Sequence, residues 1–319
     1  MGFKPIDWNT FQDEKDFEIW DRMTANFWLP EKIALSNDIT SWNTLSEKEK
    51  DITMKVFAGL TTLDTLQASV GAISLIEDAV TQHEEANYTF ISAMESIHAK
   101  SYSNIFMTLA NTKDINNVMS WAENDENMQN KIKIISSYYK GDNPYKKKVA
   151  SVLLESFLFY SGFYWPFYLS SRSKLTNTAD IIKLIVRDES IHGYYIGYKY
   201  QHNINNDPNL TKEQKEELKN FTINLLKELY DNEIKYTESI YEGIEVLEDV
   251  KKFLKYNANK ALNNLGYEGI FDKEETNVSP EIMVSISTTT EENHDFFSGS
   301  GSSYVMGKVE EITDDDWDF

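Results

Sequence analysis

Glutamate and histidine stand three residues apart at Glu95-x-x-His98 and again at Glu189-x-x-His192, and a lone acid among apolar residues precedes each pair, Asp64 before the first and Glu155 before the second. Residues three apart on a helix share a face, so each pair can aim a carboxylate and an imidazole at one point. Two such helices, joined by two others that give one carboxylate each, can enclose a pair of metal ions in a four-helix bundle. Oxygen-rich donor sets with one imidazole per metal suit iron or manganese, whereas zinc and copper commonly take more nitrogen or sulfur. The chemistry to expect is redox chemistry at two metal ions.

Spacing alone is weak support, because the chain holds a third copy, Glu291-x-x-His294, in a stretch rich in Ser, Thr, Gly and acids with no apolar face. That copy is discounted. The other two carry weight because Glu95, Glu189 and their upstream partners each interrupt an otherwise apolar stripe. Burying an ionised carboxylate costs several kcal/mol unless it is paired or binds a metal. A helix-end acid paired with a surface lysine explains any one of these residues, but not six positions in two matched halves.

The elements that must position these groups read as long helices up to about Gly266, with little of the period-two alternation of strands. Ser46-x-x-Glu49 and Thr211-x-x-Gln214 have the form of capping boxes. The helix that follows Ser46 places Phe57, Leu60, Asp64 and Ala68 on one stripe, so the acid is on the apolar face. A second, near Glu84 to Ala110, aligns Ile91, Glu95, His98 and Tyr102. The third carries Glu155 with Phe159 and Phe163, and Pro166 is expected to kink or end it. The fourth aligns Ile182, Ile185, Glu189, His192 and Ile196. Segments Thr211 to Glu238 and Glu248 to Leu265 are more amphipathic and should pack outside these four, with Gly266 as the stop of the last. The expected organisation is an all-α domain over residues 1–272 followed by a flexible acidic tail, 273–319, too polar to fold by itself.

Composition narrows the function classes. The chain has 319 residues, no cysteine and a formal charge of −21, which excludes disulfides and thiolate clusters and argues against a nucleic-acid partner. Val149 to Leu169 approaches the ~20 apolar residues that a bilayer requires, but Glu155 inside it and its tyrosines favour a buried bundle helix over a membrane span. No basic, apolar leader opens the sequence, so a cytoplasmic location is expected.

Tyr102 lies four residues after His98, one turn along the same face, whereas the equivalent position after His192 is Ile196. A core tyrosine is ordinarily packing. Beside an oxidising metal pair, however, its phenol becomes the nearest one-electron donor. Phe159 and Phe163 could shield such a radical from water or be core residues only.

At these residues the chain resembles the small, radical-generating beta subunit of class I ribonucleotide reductase, most closely the class Ib form. The resemblance runs from Asn26-Phe-Trp-Leu-Pro30 through Glu95-Ser-Ile-His-Ala-Lys-Ser-Tyr102-Ser-Asn-Ile-Phe106, Glu155-Ser-Phe-Leu-Phe-Tyr-Ser-Gly162 and Arg187-Asp-Glu-Ser-Ile-His192 to the tail. It implies a ferritin-like helical fold, a homodimer, and two iron or two manganese ions, one held by Asp64, Glu95 and His98 and the other by Glu155, Glu189 and His192. It also implies a stable radical on Tyr102 and a transfer path through Trp28, Asp188 and Tyr304. On the family pattern Asp188 accepts a hydrogen bond that orients His98. The ending Asp314-Asp-Asp-Trp-Asp-Phe319 resembles the acidic, aromatic terminus that grips the large catalytic subunit. Class Ib further implies maturation of manganese with a flavodoxin-like activator, or of iron directly with oxygen. The competing readings are a ferritin-like ferroxidase, a dimetal oxidase or desaturase, and an acidic helical scaffold.

Overall fold

The computed structural model describes residues 4–285. The Glu291-x-x-His294 copy, Tyr304 and the ending Asp314–Phe319 lie outside the described residues. Within them the chain is helical, with no strand. The helices are α1 (Glu14–Ala25), α2 (Ile39–Thr44), α3 (Glu47–Leu66), α4 (Ala72–Ile76), α5 (Gln82–Leu109), α6 (Thr112–Asn124), α7 (Glu126–Tyr139), α8 (Pro144–Leu153), α9 (Tyr160–Ser171), α10 (Thr176–Asn206), α11 (Lys212–Tyr241) and α12 (Leu247–Asn264). Two wider π turns interrupt this pattern, Gln67–Gly71 between α3 and α4 and Leu154–Leu158 between α8 and α9.

The bundle at the centre follows from the four stripes. α3 lies along α5, α10 lies along α8, and the π turn at Leu154–Leu158 bridges α8 to α9. Asp64 comes from α3, Glu95 and His98 from α5, Glu155 from the second π turn, and Glu189 and His192 from α10. α11 and α12 pack outside, α11 against α7 and α12 against α9. Buried between α7 and α11, Lys131 pairs with Glu233, whose other oxygen accepts from the Ser161 hydroxyl at 2.5 Å.

Local chemistry sets the helix starts. Ser46 accepts from the Glu49 amide at 3.2 Å while Glu49 accepts from the Ser46 amide at 2.7 Å, and Thr211 with Gln214 repeats the arrangement. This reciprocal pairing satisfies backbone donors that a helix end leaves unpaired. α10 has no such local cap. Instead Leu175 takes a left-handed conformation, φ 48°, and Asp38 accepts from the amides of Asn177 and Thr178 at 3.2 and 2.6 Å. A non-glycine residue in that region costs roughly 1–2 kcal/mol, which the buried carboxylate offsets through charge-assisted bonds. The helix that carries Glu189 and His192 is thereby anchored by a residue distant in sequence. At the other end of the domain, Gly266, φ 80°, stops α12 as expected, with the Tyr267 amide returning to the Leu262 carbonyl at 2.9 Å.

Pro166 does not end its helix: α9 continues to Ser171, and every residue from Tyr160 to Leu169 is buried. Packing on all sides outweighs the one backbone hydrogen bond that proline removes. The break in this region comes earlier, at the π turn around Glu155. Residues beyond 272 also pack on the body, where Val278 and Ile282 are buried and the Ser279 amide donates to Asp249 at 3.0 Å. The stretch Val149 to Leu169 is covered by protein throughout. The helical run Glu47–Ile76 is long and apolar enough to cross a bilayer, with mean hydropathy 1.2, but it carries Asp64 and Gln67 into the bundle core.

Candidate metal centre

All six candidate ligands converge and are buried. Asp64, Glu95, His98 and Glu189 form one cluster and Glu95, Glu155, Glu189 and His192 a second, the donor atoms in each lying within 4.8 Å of one another. Glu95 and Glu189 belong to both. The two clusters therefore share a carboxylate wall, along which two adjacent ions would be held.

The polar atoms facing inward show whether ions fit. Both oxygens of Asp64, Glu95 and Glu189, one oxygen of Glu155 and Nδ1 of both histidines are buried without a hydrogen-bond partner. Some of these atoms are close, His98 Nδ1 to Glu189 at 2.9 Å and His192 Nδ1 to Glu95 at 2.8 Å, yet they are not aligned as hydrogen bonds. Ligands with bonds of 2.0–2.2 Å around one ion stand about 3 Å apart. Two divalent cations also match the charge of four carboxylates with neutral imidazoles, whereas two imidazolium groups would compensate only half of it.

The site's own titration agrees. Burial, then the neighbouring Glu95, holds the Asp64 carboxyl well above the usual carboxylate range, and burial with Glu95 and Glu189 does the same to Glu155. Burial opposes charge on His98 and His192, but the surrounding acids outweigh it and keep both imidazoles well above their ordinary value. Glu189 is the exception: burial would raise it, but Glu155 and the two histidines hold it low. A cluster that retains protons in this way exchanges them for metal.

Around this core the halves differ. His98 presents Nδ1 to the acids and Nε2 to Asp188, whose Oδ2 lies 3.2 Å away and also accepts from the Trp28 indole at 2.7 Å. Trp28 lies nearly parallel to His98, ring centres 6.1 Å apart, and Arg187 reaches both Asp188 and the Asn26 carbonyl. Tyr102 is fully buried, its hydroxyl has no hydrogen-bond partner, and Phe57 stacks on its ring at 5.6 Å. Phe159 and Phe163 stack on each other instead, at 5.8 Å. On the other side Gln67 donates to Glu155 at 2.5 Å. Sequence reasoning missed Gln67 and Phe57, although Gln67, three residues after Asp64, is a polar residue on an apolar face and was open to notice.

Comparison with known proteins decides among the dimetal readings. The family model described as "Ribonucleotide reductase, small chain" matches residues 5–280. The chain belongs to the ribonucleotide reductase small-chain family. The ribonucleoside-diphosphate reductase subunit beta nrdF2 of Mycobacterium tuberculosis is 60% identical over 98% of this chain and 96% of its own length. Ribonucleoside-diphosphate reductase 2 subunit beta of Escherichia coli is 58% identical over 98% of each. Among solved structures, the dimanganese(II)-NrdF of Streptococcus sanguinis superposes with a TM-score of 0.86 at 47% identity, covering 89% of this chain and 100% of that one. As a small chain of the NrdF type, class Ib, the protein is the beta subunit of a ribonucleoside-diphosphate reductase with the ferritin-like fold. Small chains of this family work with a large subunit, typically as dimers. The buried carboxylate and histidine cluster fits a dimetal cofactor, iron or manganese. Nothing favours the ferroxidase or desaturase alternatives.

Proposed function

We propose that Asp64, Glu95 and His98 hold one metal ion and Glu155, Glu189 and His192 the other, and that the pair serves to oxidise Tyr102. Two iron or two manganese ions held there would supply the oxidising equivalent once oxygen, for iron, or superoxide delivered by an activator, for manganese, had oxidised the pair. The observation that carries the assignment to Tyr102 is a phenol with no hydrogen-bond partner, one turn beyond His98 and sealed under Phe57. Burial raises its pKa well above the ordinary value, and Asp64, Glu189 and Glu95 raise it further. Such a phenol does not ionise beforehand, so it gives up electron and proton together. The electron goes to the oxidised pair and the proton leaves towards the acids of the centre, whose charges act on the phenol.

Asp188 holds Trp28 and His98 on the same oxygen, which supports a route by which the oxidising equivalent leaves the core. Tyr304 extends that route, and the ending Asp314–Phe319 binds the large subunit, aromatic anchors on a tether adding affinity without fixing Tyr304. In this reading the chain acts in the cytoplasm as a homodimer, with 1–272 as the dimetal domain and 273–319 as the tail, whose first residues pack on that domain through Val278 and Ile282. A flavodoxin-like protein activates it when manganese is loaded.

Tyr102→Phe tests the assignment. The variant should bind two ions and melt within about 1 kcal/mol of the wild type, because the lost hydroxyl makes no hydrogen bond. Its tyrosyl signal in electron paramagnetic resonance and its reductase turnover with the large subunit should fall to background. Turnover retained in that variant sinks the proposal.

A further inference from the structure

We infer that Gln67 is a positioning residue for Glu155: its side-chain amide occupies one carboxylate oxygen and leaves the other as the one that faces a metal ion. The inference rests on the ligand assignment proposed above and deepens it. Gln67 opens the first π turn and Glu155 lies in the second, so the contact joins the two interruptions of the bundle. A π turn accommodates one extra residue and re-aims the side chains beside it, which is why such turns gather at functional sites.

The amide is fully committed. Gln67 Nε2 donates to Glu155 Oε1 at 2.5 Å and to Ser151 Oγ at 2.8 Å, and its carbonyl oxygen accepts from the Tyr139 hydroxyl at 2.7 Å. All four side chains are buried. As a metal ligand Glu155 is ionised and can only accept, so the nitrogen edge faces it, and the Tyr139 hydroxyl donates to the carbonyl edge. Reversal would set the amide carbonyl against the carboxylate and leave the Tyr139 hydroxyl without the acceptor it now uses. Space for the contact is reserved one turn later, where a Cβ at Gly71 would stand 2.0 Å from the Gln67 carbonyl oxygen and 2.9 Å from the Tyr139 ring.

The consequence for the centre is an asymmetry. Glu155 Oε2 is the oxygen without a hydrogen-bond partner and lies 3.7 Å from His192 Nδ1, whereas both oxygens of Asp64 are unheld. Glu155 is thereby presented to the second ion through one oxygen, with its orientation fixed before the ion arrives. Removing a partner that orients a ligand typically weakens metal binding by roughly ten- to a hundredfold.

Manganese(II) titration followed by electron paramagnetic resonance tests this on the full-length chain. The wild type should take up two ions and give the broad spectrum of a coupled pair. Gln67→Leu keeps the bulk and removes the donor, and Tyr139→Phe keeps Gln67 but removes the group that orients it. Both should retain the first ion, bind the second roughly ten- to a hundredfold more weakly, and show the six-line spectrum of a single ion at one equivalent. Helical content and melting of the metal-free variants should change little for Tyr139→Phe, which carries the test if Gln67→Leu does not fold. Two ions bound with wild-type affinity and spectrum in both variants overturn the role of Gln67 and leave the ligand assignment standing. A wild-type chain that takes up no pair overturns the ligand assignment, and the inference with it.

Discussion

In the half of the centre built from α3 and α5, His98 backs onto Asp188 and Trp28, and Tyr102 follows one turn later with no polar contact at all. In the half built from the second π turn and α10, Glu155 is held by Gln67, and the position four residues after His192 is Ile196, buried and inert. The donors match, an acid and a Glu-x-x-His pair each, while the surroundings diverge. One side is furnished with rings that can lose an electron. The other is furnished with hydrogen bonds that hold a ligand still. A near-symmetric donor set is thus placed inside an asymmetric frame, and in the proposed function that frame would give the oxidising equivalent a direction.

The sharpest break of this comparison uses the acids common to both clusters. Glu95 and Glu189 face both ion positions, whereas Asp64 and His192 each face one. Glu189→Ala should therefore lose both ions and all radical, and His192→Ala should lose one ion and keep the Asp64 side loaded. Metal analysis after gel filtration checks the ratio. Equal losses in the two variants would mean that the halves are not separable.

Asp188→Asn comes next in size and bears only on the first half. The substitution keeps the shape but removes the negative charge that Trp28 and His98 share. Metal binding on the Asp64 side should weaken by roughly tenfold to a hundredfold, and turnover with the large subunit should fall at least as far. Steady-state kinetics with metal loading held equal separates the two effects. Unchanged turnover would show that the Trp28 side is not the outlet.

A smaller effect concerns protons. The folded metal-free chain holds Asp64, Glu155 and both imidazoles above their ordinary values, so these groups bind protons more readily folded than unfolded. Their contribution to stability is present at low pH and is lost as pH rises through the raised values. Glu189, held low, acts oppositely, its contribution being lost on acidification. Metal replaces the retained protons, so loading should release protons and tighten by about tenfold per pH unit for each proton released. Calorimetry in buffers of differing ionisation heat reads the proton count. Metal affinity that is independent of pH between about 5 and about 8 would contradict the raised values.

The sequence made the six converging candidate ligands legible because helical spacing and an acid on an apolar stripe are local signals. Tyr102 and its missing counterpart at Ile196 were legible for the same reason. The frame was not. Asp38 caps α10 from far away in the chain, and Gln67 meets Tyr139 and Ser151 only after three helices have packed. The π turns left no mark that periodicity could find, since each adds a single residue to an apolar run. Pro166 misled because its cost is local while the packing that absorbs it comes from every neighbouring helix.

The ring over Tyr102 yields the finest test. Phe159 and Phe163, at helical steps from Glu155, could be shields or core only; they stack on each other, and Phe57 of α3 stacks on the phenol. Phe57→Leu keeps the site apolar and trims the flat face, a change that should cost less than about 1.5 kcal/mol of stability. The radical should form in near wild-type yield, because metals and ligands are untouched, and then decay faster as water or small reductants reach the ring. Phe163→Leu should leave the lifetime unchanged. Comparing the two decay rates by electron paramagnetic resonance isolates shielding from stability, since both substitutions remove a buried phenylalanine and Phe57 is the one whose ring stacks on Tyr102. Equal lifetimes would assign the protection to burial as a whole rather than to the α3 side of the centre.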